Sequence, residues 1–227
     1  MSKTYGKTRW KRFALVMVPS VVATAGIGVS IAQSALAASF SVSGQSFKVT
    51  ADHLRGSNFS QFGSVDVSAD GKPHVIAVSA FDKATIHNLC QSVVTDLGPL
   101  GKWTLQLHAG TAAEQNSTDD QGAYDASTDP GQVQASNLLL DMDQLQADAT
   151  FHSISIGQDA STLPGTAAQG FKDIKGGGLP TGAQGFAQAA PKAELHGVKQ
   201  EAWATSAGTF KLPGLNLAVS QGANECY

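Results

Sequence analysis

The chain has 227 residues and a mass of 23.4 kDa, room for one domain of ordinary size or two small ones. At 42% hydrophobic it can bury a sizeable core, while its 15% charged residues fall below the usual share of about 25% and its glycines number 24. That composition argues against long charged helices.

Residues 1–12 carry Lys3, Lys7, Arg9, Lys11 and Arg12 with no acid, and residues 13–33 then run without a charge up to Ala35-Leu36-Ala37. A basic head, an apolar stretch and a small-x-small site are the parts of a secretory signal, and the expected cleavage follows Ala37. The apolar run, about 21 residues, is also long enough to act as an uncleaved N-terminal anchor helix with its basic side inside. Either outcome places residues 38–227 outside the cytoplasm as one β-rich domain, secreted or membrane-anchored. Without residues 1–37, ten basic residues remain against eighteen acids, a net charge of about −8, and Arg55 is the one arginine left. That balance opposes nucleic acid or anionic lipid as a partner, since each requires a Lys/Arg patch.

Beyond the export segment the recurring signal is alternation of apolar and polar residues. It runs through Phe40-Ser41-Val42-Ser43, Phe47-Lys48-Val49-Thr50, Trp103-Thr104-Leu105-Gln106-Leu107, Phe151-His152-Ser153-Ile154-Ser155-Ile156, Phe210-Lys211-Leu212 and Leu215-Asn216-Leu217-Ala218-Val219. A period of two lines one face of a strand, so the chain reads as half-buried antiparallel sheet. Residues 137–148 hold the best helical stripe, but the surrounding alternation favours a strand there too. Two polar stretches rich in Gly, Ser, Thr, Asp and Pro, residues 111–132 and 158–191, read as long loops.

One short pattern occurs twice: Ala84-Thr85-Ile86-His87-Asn88-Leu89-Cys90-Gln91 and Ala193-Glu194-Leu195-His196-Gly197-Val198-Lys199-Gln200. The repetition divides the domain into halves 38–130 and 131–227. Two such β-meanders, each unable to bury both faces alone, are expected to pack across a pseudo-twofold as an all-β antiparallel sandwich or a partly closed barrel.

The two cysteines, Cys90 and Cys226, are expected to form a disulfide in an oxidising compartment. Closing a loop of about 136 residues contributes on the order of 4 to 5 kcal/mol in the chain-entropy picture, an upper figure because strain is ignored. Chemistry is harder to find. No Gly-x-Ser-x-Gly elbow and no Ser-x-x-Lys occurs, so a serine hydrolase would have to assemble its nucleophile and base from distant positions. His87 and His196, at matching places in the repeat, are weak candidates for a metal pair, the competing reading being that both point to a wetter sheet face. Asp141, Asp143 and Asp148, with loop acids 119, 120, 125 and 129, hold oxygens for calcium but lack the twelve-residue loop pattern. Nucleotide-binding glycine motifs are missing, and no cofactor is expected.

Several segments taken together are familiar: Thr8-Arg9-Trp10-Lys11-Arg12-Phe13, Met17-Val18-Pro19-Ser20, Ala37-Ala38-Ser39-Phe40, Asn88-Leu89-Cys90-Gln91-Ser92-Val93, Ala147-Asp148-Ala149-Thr150-Phe151, Ala202-Trp203-Ala204-Thr205 and Glu225-Cys226-Tyr227. They resemble an actinomycete family of small exported proteins of unknown function whose members often carry the label cholesterol esterase. The resemblance implies export, a β-rich domain and a role at the cell envelope; the esterase label has no motif behind it. Three functions remain. The first is a non-enzymatic envelope protein holding a lipid, another hydrophobic ligand or an envelope partner protein between its β halves. The second is a lipid-ester hydrolase, and the third a surface structural module assembled through sheet edges.

Overall fold

The computed structural model describes residues 43–111, 131–163, 165–167 and 185–227; residues 1–37, expected to direct export, and acids 119, 120, 125 and 129 lie outside them. The described chain is built of β1 (Phe47–Val67), β2 (Pro73–His87), β3 (Leu89–Asp96), β4 (Lys102–Ala109), β5 (Val133–His152), β6 (Ser155–Asp159), β7 (Phe186–Ser206), β8 (Thr209–Lys211) and β9 (Asn216–Gln221). Short 3-10 turns follow β3 and β6. Every pairing is antiparallel.

The strands form one sheet, in the order β6-β7-β5-β2-β1-β3-β4-β9, with β8 on β5 and a further β7–β1 pairing. Of the two architectures expected, the sandwich of two facing layers is therefore replaced by a single sheet that curls. β1 pairs β2, β2 pairs β5, β5 pairs β7 and β7 returns to β1, which closes a four-stranded ring. Exchanging β1 with β5 and β2 with β7 maps this ring onto itself. β6 pairs with β7 and β8 with β5, while β3-β4-β9 continue outward from the start of β1 as a wing.

Strand length makes closure feasible. β1, β5 and β7 have 21, 20 and 21 residues, far beyond the five or six of an ordinary strand. Long strands let four members tilt steeply around a small circumference, and tilt is what a narrow closed sheet needs. The sequence conceals these lengths because the alternation changes phase at kinks. Asn58, Asn88, Asn137 and Ser153 have positive φ, as does Gly197. Asparagine and glycine adopt this left-handed conformation most readily, and one such residue inside a strand moves the next side chain to the opposite face. On β1 the core-facing residues are accordingly Leu54 before Asn58 and Phe59 after it; on β5 they are Val133 and Ala135, then Leu138, Leu140 and Met142.

Two of these kinks, at Asn58 and Asn137, meet in a polar corner. Asn58 Nδ2 donates to Asp82 at 2.7 Å, the backbone N–H and hydroxyl of Thr166 donate to Asp82 at 3.0 and 2.8 Å, and the Thr166 hydroxyl lies 3.1 Å from Asn137 Oδ1. These bonds hold the Asp82 carboxyl below its usual range although partial burial works against them. The strand expected across residues 151–156 breaks at Ser153, whose positive φ turns β5 into β6. The loop expected over 158–191 is shorter than its composition suggests, because Phe186 to Pro191 belong to β7. Alanines there alternate against β1 and β6.

The ring is filled. Leu54, Phe59, Phe81, Ile86, Leu138, Met142 and Leu195 form its main core, and Phe59 packs on Phe81 and Phe151 at 5.3 and 4.9 Å between ring centroids. A second cluster, Phe62, Ile76, Val78 and Ala187, is covered by Ala160, Leu163 and Ala167.

Candidate functional sites

Three places gather chemistry, and strand register builds each one. The first is a histidine ladder on the face opposite the core. His53 on β1 stands directly across from His87 on β2 and from His196 on β7. Its ring stacks on His196 with centroids 4.0 Å apart and lies 6.1 Å from His87, the planes tilted by 10 to 12°. The two repeat histidines thus do not meet each other; they flank a third histidine on the strand between them. The wetter face expected for them holds for His196, which is exposed, whereas His53 and His87 are buried. Burial first, then the proximity of His196, Arg55 and His87, lowers the His53 pKa to about 4, so the imidazole is neutral at physiological pH.

The second place is an acidic pair beside the outer cluster. Burial, reinforced by Asp66, pushes the Asp141 carboxyl up to about 7, and burial also raises Asp66, opposed in part by His74. His74 faces Asp66 across β1–β2 and stacks on Trp203 at 3.8 Å, while the Trp203 indole N–H donates to Asp143 at 3.2 Å. Among the described residues, aspartates 141, 143 and 148 are not gathered within ligand distance of one another. Among the described residues, the one set of three or more metal-ligating side chains in reach of each other is His53, Glu194 and His196. The β5–β7 register shifts between Asp141 and Met142, between Met142 and Gln144, and between Gln146 and Asp148.

The third place is the wing, whose two faces differ. Cys90 and Cys226 are joined in a disulfide, their Cα atoms 6.0 Å apart and 136 residues apart in sequence. The C-terminal tail it holds lies along one face. The Cys226 N–H donates to Ser92 at 3.0 Å, the Asn224 N–H to Thr104 at 2.9 Å, and Gln106 to the Asn224 carbonyl at 2.7 Å. Lys48 pairs with Glu225 at 3.0 Å and reaches over the Tyr227 ring. On the other face β3, β4 and β9 align Val93, Leu105 and Val219 in one row and Leu107 and Leu217 in the next. Leu217 and Val219 are 58% and 62% exposed, and the turn between β3 and β4 adds Leu97 and Leu100, the latter 68% exposed. Trp103 sits at this tip, its indole N–H bonded to the Leu100 carbonyl at 3.0 Å.

The space between the β halves, expected to be the ligand site, holds a gap of about 60 Å3 lined by Leu54, Phe59, Leu140, Phe151 and Val198 with Gln200. Drug-sized ligands occupy pockets of about 300 Å3 or more. Sequence reasoning missed His53 because it lies outside the repeat, and it missed the wing face because a period of two marks a strand's apolar side without saying whether another layer covers it.

Residues 43–227 match a family described only as a family of unknown function, DUF6230. No curated protein and no solved structure matches the chain.

Proposed function

Because the chain belongs to that family of unknown function, with no activity to inherit, we propose from its own geometry that it is a non-enzymatic, exported cell-envelope protein that holds a hydrophobic partner, a neutral lipid surface, on the open face of its wing. The observation that carries this reading is the contrast between the filled ring and the exposed row of Leu97, Leu100, Leu105, Leu217 and Val219. A contiguous apolar face on a secreted monomer marks an interaction surface. Trp103 beside an exposed leucine turn is the arrangement that inserts at a lipid–water interface, the indole staying at headgroup depth. The net charge of about −8 outside the export segment directs the choice to uncharged headgroups over anionic ones. The disulfide fits an oxidising, extracytoplasmic setting.

Flotation with phosphatidylcholine vesicles tests the proposal. The protein without residues 1–37 should rise with the vesicles, and a Leu100→Ser/Leu217→Ser/Val219→Ser variant should stay behind; protein that stays behind unaltered overturns the reading. A second reading, assembly through sheet edges, is favoured by β9, which pairs β4 on one side and has no strand on its other side among the described residues. An apparent molar mass from light scattering that rises with protein concentration in the absence of lipid would support it.

A further inference from the structure

On the face of the ring away from the core, one ring nitrogen each of His53 and His196 and one carboxylate oxygen of Glu194 lie within 4.8 Å of one another. We propose that these three residues bind a divalent transition-metal ion of the zinc class, leaving one coordination position open to water. The sheet supplies the set. His196 stands directly across from His53 on the neighbouring strand, and Glu194, two residues earlier on β7, shares its face.

The independent sign is His53 itself. It is 4% exposed, yet its Nε2 has no hydrogen-bond partner among the described residues. A buried ring nitrogen left in that state forfeits hydration without compensation. A bound cation supplies the missing partner, whereas a histidine present only to fill space would be replaced at lower cost by an apolar residue. Two imidazoles with one carboxylate and an open fourth position is a donor set that zinc accepts and that calcium and magnesium, which prefer all-oxygen shells, do not.

Bonds of about 2.0 to 2.1 Å in a tetrahedron place ligand atoms about 3.3 Å apart, a spacing inside the 4.8 Å that bounds the present one. The imidazole planes are stacked, 12° apart, whereas two rings on one tetrahedral ion must each aim a nitrogen at it within the ring's own plane. His196 is the exposed partner and can turn about its side-chain bonds to face the ion, while buried His53 stays fixed. Arg55 stands opposite Glu194 on the neighbouring strand, so its guanidinium would compete with the cation for the carboxylate, which should be the weakest of the three ligands.

The test uses untagged protein stripped with chelator and titrated with zinc sulfate at pH 7 by calorimetry, with imidazole NMR as a second readout. The expected result is one zinc per chain, with the His53 and His196 resonances shifting together. His196→Gln, at an exposed position that leaves the core intact, should weaken binding at least about tenfold, and Glu194→Gln less. His152→Gln, on another strand, should leave the affinity unchanged. Absence of binding, binding undiminished in His196→Gln, or an equal loss in His152→Gln would each overturn the proposal.

Discussion

The ring and the wing are made of the same sheet, and they differ in what lies opposite their apolar face. The residue rows that fill the ring continue past Asn88 into the wing: Leu89 still packs in the main core, Leu107 packs against its edge, and Leu105, Leu217 and Val219 are left facing outward. β1, β5 and β7 are long enough to come back around on one another. β3, β4 and β9, with 8, 8 and 6 residues, are not. The wing is thus an unclosed extension of the ring's inner face, stabilised from its outer side by the disulfide and the tail. Closure buries an apolar face and makes it structural; lack of closure leaves the same pattern available to a partner.

The largest effects should fall in the ring. A Cβ added at Gly56 would lie 2.0 Å from Phe81 Cδ1, so the β1 backbone approaches that ring as closely as only glycine allows. Phe81→Ala should cost about 3 to 5 kcal/mol in denaturant unfolding. Gly56→Ala should also destabilise, and its penalty should nearly vanish in a Phe81→Ala background. Equal penalties in the two backgrounds would show that the close approach does not set the packing there.

Next is the disulfide. Replacing Cys90 and Cys226 by alanine should cost about 2 to 5 kcal/mol. Hydrogen exchange sharpens the comparison: β3, β4 and β9 should lose protection first, since the tail bonds to Ser92, Thr104 and Gln106 depend on the bridge. A loss spread evenly over β1, β2, β5 and β7 would contradict the division into ring and wing.

A pH effect distinguishes the outer cluster. The Asp141 carboxyl, raised from 3.8 to about 7 in the folded chain by burial and then by Asp66, holds a proton that the unfolded chain releases near pH 4. The folded state therefore binds more protons between these values, and stability falls as pH rises through that window, by about 1.4 kcal/mol for each unit of displacement. Asp66, which burial also raises, shares in it. Asp141→Asn should melt higher than the parent at pH 8 and level with it near pH 4; a constant difference would refute the burial cost.

Much of this was legible in the sequence. Alternation located part of β1, β4, β5, β8 and β9, and parity of the cysteines indicated the bridge that the fold contains. What was not legible has a common cause. Asn58 in β1 and Asn137 in β5 reset the alternation inside strands that continue, so each of these long strands reads as two short ones separated by a polar residue. With length hidden, the choice between a sandwich and a partly closed barrel stayed open, and the place where His87 and His196 both come beside His53 was hidden.

The smallest effect on stability is expected where the functional effect should be greatest. Leu217→Ser and Val219→Ser alter side chains already in contact with water, so little transfer free energy is lost, and surface changes of this kind stay within about 0.5 kcal/mol. If the row on β9 were buried by a segment of the chain outside the described residues, the same changes would cost about 1.5 to 3 kcal/mol each, the worth of a covered Leu or Val. Unfolding midpoints of the two variants, measured beside vesicle flotation, therefore separate two meanings of one pattern. Unchanged stability with lost flotation identifies a surface kept for a partner, and lost stability identifies a core that the chain itself completes.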